Sequence, residues 1–164
     1  MPGEKREKIS VFFNNLSIIA AILLLDQLSK FIALKKLALY QSIPVIPQIF
    51  HITLVHNRGA AFGMLKGWVS LFILTSLVAI ILIYFNLRNL RNQKPSVYSV
   101  SLCLILAGGI GNLIDRIFYG HVIDFLDFRI WPVFNIADSA ITIGAILLGI
   151  SILRSPGHKS PSHK

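Results

Sequence analysis

The chain carries the stretch VYSVSLCLILAGGIGNLI at residues 97–114, followed at once by Asp115 and Arg116. A helix needs about 20 mostly apolar residues to cross roughly 30 Å of hydrocarbon. This stretch is close to that length and holds no charged residue. Three more mostly apolar stretches of similar length lie at residues 16–34, 68–87 and 133–153. We therefore predict four transmembrane helices.

The overall composition agrees with a membrane protein. Apolar residues make up 54% of the 164 and charged residues 14%, with a mean hydropathy of +0.69. That balance excludes an ordinary soluble domain. We predict an all-α membrane protein in which residues 16–153 form one four-helix membrane domain, between a cytoplasmic tail at 1–15 and a disordered cytoplasmic tail at 154–164. No small-x-small cleavage site follows the first apolar stretch, so we expect it to remain rather than be removed as a signal peptide.

The distribution of basic residues predicts the orientation of the chain. Lys and Arg exceed Asp and Glu by nine. Both tails and the link at 88–96 contain nine of the basic residues, namely Lys5, Arg6, Lys8, Arg88, Arg91, Lys94, Arg154, Lys159 and Lys164. The connections at 35–67 and 115–132 are longer and contain six. The positive-inside rule then places both termini in the cytoplasm and those two connections outside. We expect contact with anionic phospholipids and no nucleic-acid partner.

The first outer connection has a strand pattern. Phe50, Ile52 and Leu54 alternate with His51 and Thr53, and a period of two is typical of a half-buried strand. We predict a small extracytoplasmic β element at 37–67, between the first two helices. After the strand we expect a turn at residues 57–59 and a second short extended or irregular piece at 60–63.

The second outer connection, 115–132, is short and amphipathic, and its aromatic residues suit the head-group zone. We predict a short flap there, between the third and fourth helices. The third and fourth apolar stretches also contain pairs of small residues four apart: Ala107 with Gly111, Ala140 with Gly144, and Ala145 with Gly149. Such pairs allow close helix packing, although the same residues are also ordinary in membrane helices.

Three aspartates are expected at one depth. Asp115 ends the third stretch, Asp124 lies in the flap, and Asp138 is six residues past Pro132, about 9 Å along a helix. An ionised carboxylate at the bilayer centre costs about 3 kcal/mol or more, so these residues are functional candidates. On a helix, Asn112 shares a face with Asp115 and Arg116, and Asn135 similarly shares a face with Asp138.

A cluster of carboxylates at the outer surface suggests peptide hydrolysis. Two neighbouring carboxyls keep one proton between them, so the ionised one can activate water while the other donates to a carbonyl oxygen. Two alternatives remain open: a small transporter or proton relay, and a non-catalytic adaptor. The aspartates could also be structural, with Asp115 pairing with Arg116 at a helix end. The scattered histidines do not predict a metal site.

The first helix carries an ion pair of its own. Asp26 and Lys30 are four residues apart, one helical turn, and can neutralise each other. The pair could simply fix the first helix, or Asp26 could also brace the β element or the aspartate cluster. The sequence does not separate these two interpretations.

Five motifs together resemble one family. They are DQLSK at 26–30, NRGAAFG at 57–63, GGIGNLIDR at 108–116, VIDF at 122–125 and FNIADS at 134–139. In this order they are similar to the motif set of the bacterial lipoprotein signal peptidases, the signal peptidase II family. The resemblance spans residues 16–153.

The resemblance implies an aspartic endopeptidase of the bacterial inner membrane, active at its outer face without metal or cofactor. Its substrates would be prolipoprotein signal peptides, cut just before a cysteine that carries diacylglycerol. It matches the catalytic pair to Asp124 and Asp138. It assigns supporting or substrate-binding positions to Asp26, Lys30, Asn57, Arg58, Asn112, Asp115, Arg116 and Asn135. We expect the protein to act as a monomer.

Overall fold

A computed structural model describes residues 2–59, 69–90 and 96–154, with side chains from residue 13 onward. It contains the helices α1 (Pro2–Lys36), α2 (Val69–Asn89), α3 (Val97–Tyr119) and α4 (Ile136–Arg154). Each includes a segment long and apolar enough to cross a membrane, which confirms the prediction of four spans. Helical backbone also continues through most of the predicted tail at 1–15. Apart from Arg154, the predicted tail at 154–164 lies outside the described residues.

The predicted β element between the first two helices is confirmed. It contains strands β1 (Ser42–Ile46) and β2 (Phe50–Asn57), which pair antiparallel. Leu54, an apolar member of the predicted alternation, is buried on β2 and packs with Ala33 and Leu37 near the end of α1. The piece predicted at 60–63 lies outside the described residues.

The connection predicted as an amphipathic flap contributes a third strand, which the sequence did not predict. Strand β3 (Val122–Asp127) pairs antiparallel with β2, placing Ile123 opposite His56. Nearly every residue of β3 is buried, whichever face of the strand it lies on. The strand therefore lacks the alternation of apolar and polar residues that marks a half-buried strand. Past the strand, the exposed Ile130 and Trp131 lie in the loop that leads to α4.

Helix α3 is the centre of the bundle, because it packs against α1, α2 and α4. Its ends are well defined. Ser96 and Ser99 form a reciprocal capping box at the start, and Gly120 closes the end in the left-handed conformation, with φ of 70°. By contrast, α2 has no fully buried residue. The aspartates near the ends of α3 and α4 are therefore held mainly by α1, α3, α4 and the sheet.

Glycine sets the close approach of α3 and α4. A Cβ atom on Gly108 would lie 2.3 Å from the Ala137 carbonyl oxygen, and one on Gly144 would lie 2.8 Å from the Ser101 carbonyl oxygen. Two of the predicted small-residue pairs belong to this buried contact: Ala107 with Gly111, and Ala140 with Gly144. The third pair, Ala145 with Gly149, is exposed. Its small residues do not serve a close helix contact among the described residues.

We predict that Gly108→Ala lowers the thermal unfolding midpoint in detergent, because the new methyl group must displace α4 backbone. Overpacking of this kind costs about 1–3 kcal/mol. Gly149→Ala is the matched control, since nothing lies within 4 Å of its added Cβ and alanine favours a helix. An unchanged midpoint for Gly108→Ala would contradict the packing described here.

Candidate active site

A buried ammonium group lies beside the aspartates. Lys30 Nζ is 2.8 Å from Asp26 Oδ2 and 2.8 Å from Asp115 Oδ2, and it donates to Asn112 Oδ1 at 3.1 Å. Lys30 is 1% exposed, and the two aspartates are equally buried. The predicted pair within α1 is therefore present, but the same cation also binds α3. Since a buried charge without a partner is very costly, this ion triad fixes α1 against α3.

Asp26 also contacts α4. Its Oδ1 accepts the Ala137 backbone N–H at 2.9 Å, in the first turn of α4. A Cβ on Gly111 would lie 2.6 Å from Asp26 Oδ2, so the absence of a side chain there lets the carboxylate reach α3. Asp26 thus braces the helix that carries Asp138, in addition to its pairing within α1.

Asp115 is bound by groups other than Arg116. Its Oδ2 accepts the Ile123 backbone N–H at 3.1 Å, and its Oδ1 accepts from Gln27 Nε2 at 3.2 Å. The structure does not show the alternative in which Asp115 and Arg116 form an ion pair with each other. Arg116 instead places its guanidinium 5.2 Å from the centre of the Phe72 ring on α2 and lines the cavity described below.

Two asparagine side chains connect the ion triad to the other aspartates. Asn112 Nδ2 donates to Asp138 Oδ1 at 2.7 Å, while its Oδ1 accepts from both Lys30 and Asn135. Asn135 Nδ2 donates to Asp124 Oδ1 at 2.7 Å. The Asn135 Oδ1 accepts the Asp138 backbone N–H at 2.8 Å, the contact typical of a helix N-cap. One residue thus begins α4 and positions both carboxylates.

Asp124 and Asp138 line the same cavity, of about 540 Å³. Asp124 comes from β3 and Asp138 from the first turn of α4. The second oxygen of Asp124 accepts from Asn57 Nδ2 at 2.9 Å, so both of its oxygens are bound by amides. The other lining residues are Tyr40, Val55, His56, Asn57, Arg58, Gly59, Asn112, Arg116, Val122, Trp131, Pro132, Val133, Phe134, Ile141 and Thr142.

Burial raises the pKa of Asp124 to about 7, and the neighbouring charge of Asp138 acts in the same direction. The hydrogen bonds from Asn57 and Asn135 and the charge of Lys30 oppose that rise. An aspartate in water has a pKa near 3.9. This carboxyl is therefore partly protonated near neutral pH.

The end of β2 forms one wall of the cavity. Asn57 bonds Asp124 through its Nδ2 and accepts the Gly59 backbone N–H at its Oδ1, at 3.0 Å. Arg58, whose side chain is exposed, also lines the cavity. His56 stacks on His121 with ring centroids 4.0 Å apart. Burial lowers the pKa of both imidazoles, which favours their neutral forms.

The fifth aspartate has a different environment. Asp127 accepts from Thr53 Oγ1 at 2.7 Å and from the Arg129 backbone and side chain, and it does not line the cavity. These hydrogen bonds connect β2 to the loop after β3. Within the described part of the chain, no three His, Cys, Asp or Glu side chains form a group that could hold a metal ion.

The structure brings together most of the residues singled out from the sequence. Asp26, Lys30 and Asp115 form the ion triad, and two asparagines join it to the Asp124–Asp138 pair. No sequence pattern indicated a role for Gln27, Phe72 or His56. Gln27 appeared only inside a motif, and its neighbour Asp26 lies about 100° away around the helix. The contacts of Phe72 and His56 are made across the fold, so no local pattern marks them.

The family model described as signal peptidase (SPase) II matches residues 18–154. Proteins named lipoprotein signal peptidase are similar: one from Caldanaerobacter subterraneus is 48% identical, over 85% of this chain and 96% of its own. One from Halothermothrix orenii is 47% identical, over 80% of this chain and 89% of its own.

A solved structure described as a bacterial membrane enzyme is also similar, with a TM-score of 0.81 and 33% identity. The match covers 92% of this chain and 94% of that one. The sequence resemblance is therefore confirmed by the family model and supported by the shared fold. This multi-pass membrane protein belongs to the signal peptidase II family.

Proposed function

We propose that the protein is an aspartic endopeptidase that removes the signal peptide of membrane-bound prolipoproteins, immediately before the diacylglyceryl-modified cysteine. The observation that carries this proposal is the pair Asp124 and Asp138, which line one cavity beside the membrane helices. The names of the relatives support the substrate class. The pair needs neither metal nor cofactor for the reaction proposed.

In the proposed mechanism the two carboxyls share one proton. The ionised carboxylate takes a proton from water as the water oxygen attacks the scissile carbonyl carbon, and the neutral carboxyl gives its proton to the carbonyl oxygen. A proton then passes to the amide nitrogen and the C–N bond breaks. The products are a signal peptide with a new carboxyl end and a lipidated cysteine with a free amine.

The amide network gives the pair its geometry. Asn112 fixes one oxygen of Asp138, while Asn57 and Asn135 fix the two oxygens of Asp124. Because Asn112 and Asn135 are themselves bonded to each other, the two carboxyls are held in one frame. Such pre-positioning lowers the reorganisation needed during the reaction.

We infer the location of the reaction from charge and topology. For a chain in the bacterial inner membrane, the basic residues favour an orientation with both termini in the cytoplasm, which would put the sheet and the aspartate pair at the outer face. A signal helix in the bilayer would then present its scissile bond at that depth. The lipid of the substrate cysteine could stay in hydrocarbon while water reaches the pair. We propose that a monomer suffices, because this chain supplies both carboxyls and their amide partners.

Substitution of either aspartate tests the proposed chemistry. We expect Asp124→Asn and Asp138→Asn each to lower the rate of cleavage of a lipidated precursor in detergent by at least about 100-fold. This is the lower end of the rate effect of a general acid or base. Asp127→Asn is the control, since Asp127 is buried like Asp124 but lies outside the cavity; it should still cleave. Precursor turnover is followed by gel mobility, and thermal unfolding verifies that each variant folds. Normal turnover by either cavity variant would rule out the pair.

The pKa of Asp124 predicts the alkaline limb of the pH profile. As the pH rises through about 7 the pair loses its single proton, so kcat/KM should fall. Asn57→Ala removes a hydrogen bond that lowers this pKa, and the limb should therefore move to higher pH while the maximal rate decreases. Thr53 lies on the same strand as Asn57 but contacts Asp127. Thr53→Ala should therefore leave the limb in place. A limb that stays fixed or moves to lower pH in Asn57→Ala would contradict the assignment.

A further inference from the structure

A second cavity lies at the other end of the helix bundle. It has a volume of about 580 Å³ and opens between α1 and α2, with Leu106 of α3 among its lining residues. Its α1 residues, Asn15, Leu16 and Ile19, come well before Asp26. Asn15 is eleven residues from Asp26, about 16 Å along the helix. We call this cavity the α1–α2 crevice. It is remote from the aspartate pair, and the proposed cleavage reaction does not use it.

The lining of the crevice combines apolar walls with polar groups at one end. Leu16, Ile19, Leu87 and Leu106 supply apolar surface, whereas Asn15, Tyr84 and Arg88 supply polar groups. Arg88 belongs to the last turn of α2 and is exposed. Among the side chains that the structure describes, no carboxylate forms a salt bridge with it. A cation at the mouth of an apolar cavity fits an anion that carries a hydrocarbon chain.

The described part of the chain leaves much of the α2 surface uncovered. None of its residues is fully buried, and α2 packs mainly against α3 rather than α1. In a membrane, the space between α1 and α2 is open to lipid. The other end of α2 reaches the active site, because Phe72 lies against Arg116.

We propose that the α1–α2 crevice binds one anionic phospholipid, with an acyl chain along Leu16 and Ile19 and the phosphate at Arg88 and Asn15. The guanidinium offers several N–H donors to a phosphate, and the half-buried Asn15 amide adds another. The bound lipid fills the gap beside α2 and steadies that helix. Charge complementarity favours phosphatidylglycerol over phosphatidylcholine, whose head group has no net charge.

Lipid binding is tested on the whole protein in nanodiscs of phosphatidylcholine, with and without phosphatidylglycerol. We expect phosphatidylglycerol to raise the thermal unfolding midpoint and to be retained in native mass spectrometry. Arg88→Ala should weaken its retention about fivefold, because the phosphate loses the N–H donors of the guanidinium. Arg154→Ala is the matched control: it removes the same charge from the last turn of α4, outside the crevice, and should behave as wild type.

A second variant separates the cavity from the charge. Ile19→Trp keeps every charge but fills part of the crevice, so it should retain its fold in phosphatidylcholine while losing the added stability from phosphatidylglycerol. Soluble glycerol phosphate should give no stabilisation, because it has no acyl chain. The proposal is overturned if Arg88→Ala and Arg154→Ala bind phosphatidylglycerol equally, if the two lipids stabilise the protein equally, or if glycerol phosphate replaces the lipid.

Discussion

The Lys30 ammonium is the contact on which the arrangement of the site depends. It binds one carboxylate from its own helix and one from α3, and it reaches the amide oxygen of Asn112. Through Asp26 the same charge group holds the start of α4, and through Asp115 it holds the start of β3. Removing charges from water costs several kcal/mol per ion, so a triad of this kind is retained only where its geometry is well satisfied. Here it sets the positions of the two elements that carry the proposed catalytic pair.

The four aspartates of this network differ in the partners that bind them. Asp26 and Asp115 each contact the Lys30 cation directly, whereas Asp124 and Asp138 are held by neutral amides. A cation stabilises an ionised carboxylate, while an amide orients a carboxyl with a smaller bias toward the charged form. Burial then raises the pKa of Asp124 to about 7. The same network therefore contains carboxylates suited to structure and carboxyls suited to proton transfer.

Parts of this account could be predicted from the sequence because their signals are local. Four apolar stretches gave the spans, alternation gave β2, and a spacing of four gave the Asp26–Lys30 pair. Strand β3 was not predicted, because it is buried on both faces and shows no alternation. The contact from Lys30 to Asp115 joins residues far apart in the chain, so the periodicity of a helix or strand does not predict it. The residues alone also did not rank the aspartates; the family resemblance chose Asp124 and Asp138, and the shared cavity supports that choice.

The most direct test of the central role of Lys30 is the unfolding free energy of Lys30→Met, measured beside the triple variant Lys30→Met, Asp26→Asn, Asp115→Asn. If the triad holds the site as described, the single variant leaves two buried carboxylates without their cation and loses about 3–5 kcal/mol. The triple variant, in which no charge is left unpaired at the triad, should recover much of that loss. Wild-type stability of Lys30→Met alone would contradict the account.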